Sequence, residues 1–232
     1  MPPSTITEAG LYRLLTWLSP GYPVGAYSYS HGIEYAVEAG LVADRDGLVA
    51  YISTALEDGA GRVDAALLCA AWNAAHRADE RRLDEVADLA AAWRGTAEMV
   101  LEADTQGRAF LAATRAAWPH PGLDGFAARR ADMPVALPVV VGVAAALHGI
   151  SLPPAVAGFL HAVAANLVSA GMRLIPLGQT DGQRALAALE PVVAGAVAAA
   201  LATPLEDVST AAPLIDWCSM RHETQYTRLF RS

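Results

Sequence analysis

The sequence predicts an all-α fold, a single-domain helical bundle closed by a C-terminal tail that orders on a partner. Apolar residues recur at helical spacing along nearly the whole chain, and no segment alternates with period two. The apolar fraction is 54% with only 7% aromatic residues, so Ala, Leu and Val supply most of it, and Ala is the strongest intrinsic helix former. A chain of 232 residues is long enough for one continuous core. Neither a repeat nor a low-complexity linker divides it, so residues 1–218 read as one helical domain and residues 219–232 as the tail.

The first helix runs from about Thr7 to Leu18, with Leu11, Leu14, Leu15 and Leu18 at i, i+3, i+4 and i+7, and stops at Ser19-Pro20-Gly21. After a loop, a second ends near Gly40 as a left-handed cap, with Ile33, Ala36 and Val37 inward. Asp44 is placed to cap a third, carrying Leu48, Ile52, Ala55 and Leu56, and a fourth extends from about Asp64 to His76. From Asp79 to Trp118 come two amphipathic helices, one with Leu83, Val86, Ala87 and Ala90 inward, the other with Met99, Ala103, Phe110 and Leu111; Trp118-Pro119-His120-Pro121-Gly122 ends them. Two uncharged helices, Pro138 to His148 and Pro154 to Leu174, precede a break at Pro176-Leu177-Gly178-Gln179. The last long run spans about Asp181 to Thr203, where Pro191 should kink or restart the helix. Beyond Pro204 few residues suit a core.

The net charge is −8 without a single lysine, and no basic stripe tracks a phosphate backbone, which excludes nucleic acid as a partner. Cys69 and Cys218 stand alone, and Met1-Pro2-Pro3-Ser4-Thr5 lacks the regions of a signal peptide, so the expected compartment is the cytoplasm. From Met133 to Met172 no side chain is formally charged, a length that could serve a small helical membrane-associated protein. Against a membrane stand Pro134, Pro138, Pro153 and Pro154, the polar His148, His161 and Asn166, and an apolar content resting on Ala and Gly. Two buried helices explain the same run, and mean hydropathy of +0.30 points to extra apolar surface, consistent with a homodimer drawing on part of Pro134 to Arg173.

Catalytic groups are scarce. The six histidines are scattered with no i, i+4 pair, so no metal site is expected. Cys69 and His76 share a helical face but lie two turns apart. Gly178 to Arg184 resembles a phosphate loop without its Lys-Ser/Thr pair, and reads instead as a turn with Asp181 as helix cap. Ser28, Ser30 and His31 are neighbours, yet no G-x-S-x-G elbow surrounds either serine. Neither an enzyme nor a bound cofactor is expected.

Two segments stand out. The loop Ser19 to Glu34 concentrates Gly, Pro, Ser and three tyrosines between plain helices; those tyrosines supply rigid contact area or cap the core. The tail Ser219 to Ser232 closes an acidic chain with three arginines and one glutamate. If helical, it would carry Tyr226, Leu229 and Phe230 on one face, flanked by Arg228 and Arg231, as suits docking into a groove; a frayed terminus is the commoner fate of chain ends.

In three places the sequence resembles the UreF family of urease accessory proteins: PVGAYSYSHGIE (Pro23 to Glu34), PLGQTDGQ (Pro176 to Gln183) and SMRHETQYTRLFRS (Ser219 to Ser232), in matching order and spacing. The resemblance implies an all-α homodimer that joins UreD (UreH in some organisms) to the GTPase UreG, the assembly meeting urease apoprotein so that nickel reaches its active site. It implies partner-binding roles for Gly25, Tyr27, Ser28 and Gly32 in the loop. In the tail it implies them for Arg221, His222, Glu223, Tyr226, Arg228, Leu229, Phe230 and Arg231.

Overall fold

A computed structural model describes residues 5–232; of the stretch Met1 to Thr5, only Thr5 falls within them. Among the described residues there are eleven α-helices and no strand. They are α1 (Glu8–Trp17), α2 (Ile33–Glu38), α3 (Arg45–Glu57), α4 (Ala60–His76), α5 (Glu80–Ala92), α6 (Ala97–Ala117), α7 (Pro121–Arg129), α8 (Leu137–Leu147), α9 (Leu152–Leu174), α10 (Gln179–Ala202) and α11 (Pro213–His222). The expected all-α bundle is what forms.

The starts follow local chemistry. Thr7, Asp44, Asp79 and Thr96 each accept a backbone N–H of the first turn of α1, α3, α5 and α6, satisfying donors that the helix cannot. At α10 the cap position is Gly178, and Asp181 sits inside the first turn paired to Arg184 at 3.1 Å. The Pro-rich break after Trp118 also begins a helix unmarked by apolar spacing. His120 accepts the Gly122 N–H, and Pro121 takes the first position of α7, where its missing N–H costs nothing. Pro191 does not restart α10. The helix runs on through it, and Pro191 and Ala187, whose carbonyl it leaves free, are both exposed so water can serve that carbonyl.

The core is centred on α4 and α8, which pack along their lengths, with α9, α10, α3 and α6 around them. The fit is close: a Cβ at Gly142 of α8 would lie 2.6 Å from the Leu68 carbonyl oxygen of α4. Val139, Val140, Val141, Val143, Ala144 and Ala145 are all buried, so α8 is apolar all round because it is the central helix. Most of the uncharged stretch is thus absorbed by the core, and α8 has no free face to give a dimer; outward on that stretch are Met133, Pro134 and Gly149 beside α8 and a face of α9 carrying His161 and Ser169. Helices α9 and α10 are long and apolar enough to cross a membrane by length and composition alone. At α1 the apolar face is divided: Leu14 and Trp17 are buried, whereas Leu11 and Leu15 are exposed.

Candidate functional site

The two unusual ends of the sequence meet. Gly25 and Gly32 adopt φ of +72° and +77°, and His31 between them φ of +52°, a conformation uncommon for a residue with a Cβ. This turns the loop so that α2 starts beneath α11. At Gly32 a Cβ would lie 2.8 Å from the Ser219 backbone nitrogen, so only glycine lets α11 approach.

Tail residues 223–232 pack back on the body. The Glu34 carboxylate accepts the backbone N–H groups of Leu229 (2.6 Å) and Phe230 (2.9 Å). Ser28 O accepts the Arg231 N–H at 2.8 Å, and Ser30 donates both its backbone N–H and its hydroxyl to Ser232 O. Phe230 is buried, with the Arg173 guanidinium 4.2 Å above its ring, and Arg173 also donates to Tyr27 O at 2.7 Å. The tail therefore differs from the free arm its composition suggests. Helix α11 ends at His222, and the irregular chain beyond it splits the expected face: Phe230 points inward while Tyr226 and Leu229 stay exposed.

Helix α6 supplies the floor. Glu98, Glu102 and Gln106, four residues apart, form a buried polar line. The His222 ring is fully buried between Glu98 (Nδ1, 2.8 Å) and Glu34 (Nε2, 3.0 Å). Arg228 reaches the other oxygen of Glu98 at 2.9 Å. Glu102 accepts from Gln106 and Ser232 and lies 2.8 Å from His31 Nε2. Burial works against a charged His31, but the Glu102 charge and hydrogen bond outweigh it, with Asp64 helping and Arg94 opposing, and the ring's pKa is raised above its ordinary value. Thr96 and Ser219 share a 2.8 Å hydrogen bond that joins α6 to α11.

Each residue singled out by the sequence has a definite place. Gly32, His222 and Phe230 are inside. Tyr27, Arg221, Glu223, Tyr226, Arg228, Leu229 and Arg231 are exposed around them, with Gly25 and Ser28 half-buried beside Tyr27. Arg221 lies over Tyr35, and Glu223 accepts the Ala97 N–H at 3.1 Å. The loop tyrosines divide: Tyr22 bonds Thr114 in the core at 2.8 Å, Tyr29 is buried, and Tyr27 faces out. The PLGQTDGQ turn stands apart as the start of α10. Sequence reasoning missed Glu34, Glu98, Glu102, Gln106 and Arg173. The i, i+4, i+8 line on α6 was the available signal, since three polar residues beside an apolar stripe can face an arginine-bearing tail as well as water.

Chemically the node binds its own chain. Ser30 Oγ is engaged by Ser232 O, and His31 by Glu102, so among the described residues no serine–histidine pair is assembled. Among the described residues no group of three His, Cys, Asp or Glu could hold a metal ion.

The sequence model of the UreF family matches residues 42–190. The chain is 57% identical over 231 residues to the urease accessory protein UreF of Granulibacter bethesdensis, covering 100% of this chain and 98% of that protein. It is 53% identical over 224 residues to the same accessory protein from a Bradyrhizobium species (97% and 92% covered), and 54% identical over 225 residues to that of Rhodopseudomonas palustris (97% and 93% covered).

Proposed function

The chain belongs to the UreF family of urease accessory proteins, non-catalytic helpers, and on that premise we propose that it is a cytoplasmic scaffold that joins UreD (UreH) to the GTPase UreG for nickel insertion into apo-urease. One observation carries the reading: the loop Gly25 to Glu34 and the tail Ser219 to Ser232 form one surface over a shared buried node. Tyr27, Ser28, Arg221, Glu223, Tyr226, Arg228, Leu229 and Arg231, with Gly25 setting the turn, are the residues that touch a partner. Gly32, His222 and Phe230 contribute from beneath by holding that surface in shape. Exposed Tyr226 and Leu229 supply apolar anchors, and Arg221 and Arg231 supply charge-assisted donors.

The homodimer is proposed through the outward face of α9, whose His161, Ala162, Ala165 and Ser169 carry no formal charge. This excludes α8, which is enclosed.

Co-expression with UreD and UreG tests the reading. Full-length protein should co-purify with both and restore urease activity. A chain truncated before Met220 should recover neither. Because the tail fills part of the body, the truncated chain should also melt at a lower temperature, so surface substitutions rather than truncation separate docking from folding.

A further inference from the structure

Helix α1 is apolar on two sides. Leu14 and Trp17 enter the core, yet Leu11, Tyr12 and Leu15 are 47%, 68% and 66% exposed. At about 100° per residue, Leu11, Leu15 and the half-buried Leu18 fall on one stripe. That stripe is turned toward α9: a Cβ at Gly158 would lie 2.8 Å from Leu18 Cδ1, and Leu18 shares a wall with His161, Ala162 and Ala165. It therefore runs on into the outward face of α9. The α9 face is itself short of apolar bulk, because the exposed side chains along it ahead of Arg173 are His161 and Ser169, and Ala162 and Ala165 are half-buried. A stable dimer buries on the order of 800 Å² per partner around an apolar centre, more than such small and polar side chains supply.

What covers α1 follows from charge. Each chain carries −8, so two copies repel except where carboxylates are sparse. Between them α1 and α9 hold one carboxylate, Glu8 in the first turn of α1, and two arginines, Arg13 and Arg173. Arg13 is occupied in donating to the His148 carbonyl at 3.3 Å. The outward face of α10 offers mainly alanine with Glu190 among it, and the tail surface carries Arg221, Arg228 and Arg231, like charges that would oppose one another if that patch met itself. We propose, on the homodimer reading above, that α1 supplies the bulky apolar part of the interface, with Leu11, Tyr12 and Leu15 of one copy packing against α9 of its partner across a two-fold axis. An isologous contact buries the same patch on both copies, so each α1 covers the partner's α9 and is covered by it in return.

Sedimentation equilibrium of the full chain tests this with Leu11→Ser/Leu15→Ser on α1 and His161→Glu on α9. All three positions are exposed, so helical circular dichroism should be retained. The unaltered chain should be a dimer, and each variant should raise the dimer Kd at least about tenfold. A serine pair that dimerises as before while His161→Glu dissociates would overturn the role of α1 and leave the α9 face standing. Dissociation of the serine pair alone would overturn the packing of α1 on α9. A monomeric unaltered chain, or two variants that both dimerise as before, would overturn the α1 and α9 assignments together. If the serine pair does not fold, Tyr12→Ser, at 68% exposure, is read in its place against the same outcomes.

Discussion

Glu34, in the first turn of α2, accepts the backbone N–H of Phe230 at 2.9 Å across 196 positions of sequence. With the second oxygen on Leu229 and with His222 alongside, one carboxylate joins the loop, α11 and the tail. Truncating it leaves two backbone donors and the His222 ring without their acceptor in a dry site. Glu34→Ala should therefore cost about 3 kcal/mol or more, read as a fall in the urea midpoint.

Gly32 is where backbone conformation and close approach coincide. Gly32→Ala puts a Cβ against the Ser219 nitrogen in a left-handed residue and should destabilise by about 2 kcal/mol or more. Hydrogen exchange should locate the loss in α11 and the tail, with α4 and α8 as protected as before.

The His31–Glu102 pair makes stability depend on pH. Since the folded ring has the higher pKa, its contribution is fully present below the unfolded value of about 6.5 and is lost as pH rises through the folded one. His31→Gln should thus cost more stability at pH 5.5 than at pH 8.5 in urea titrations. An equal cost at both would mean that the ring stays neutral.

Burial pushes the Cys69 thiol up to about 12 and raises that of Cys218. Neither should react with a disulfide reagent at pH 8 until the chain is unfolded in denaturant.

Much of the bundle was legible in the sequence because α3, α4, α5 and α9 bury one face against the core and so keep an apolar period. α7 was not, since its start is written in a His-Pro cap within a stretch that looks like a stop. The unusual composition of loop and tail marked both as special but hid their mutual contact. Glu34 and His222 are held by partners more than 180 residues away, a separation that no local pattern encodes. Phe230 reads as an exposed anchor until Arg173 and Glu34 enclose it.

The most direct test of the scaffold reading leaves the fold alone. Tyr226 is fully exposed and Leu229 largely so, and the Leu229 contact to Glu34 is made by backbone, so Tyr226→Ala/Leu229→Ala should melt within about a degree of the unaltered chain. Losing two such anchors costs about 2 kcal/mol or more at a typical interface, and recovery of UreD in a pull-down should fall at least tenfold. Equal recovery of UreD by both proteins, at equal melting temperature, would contradict the account.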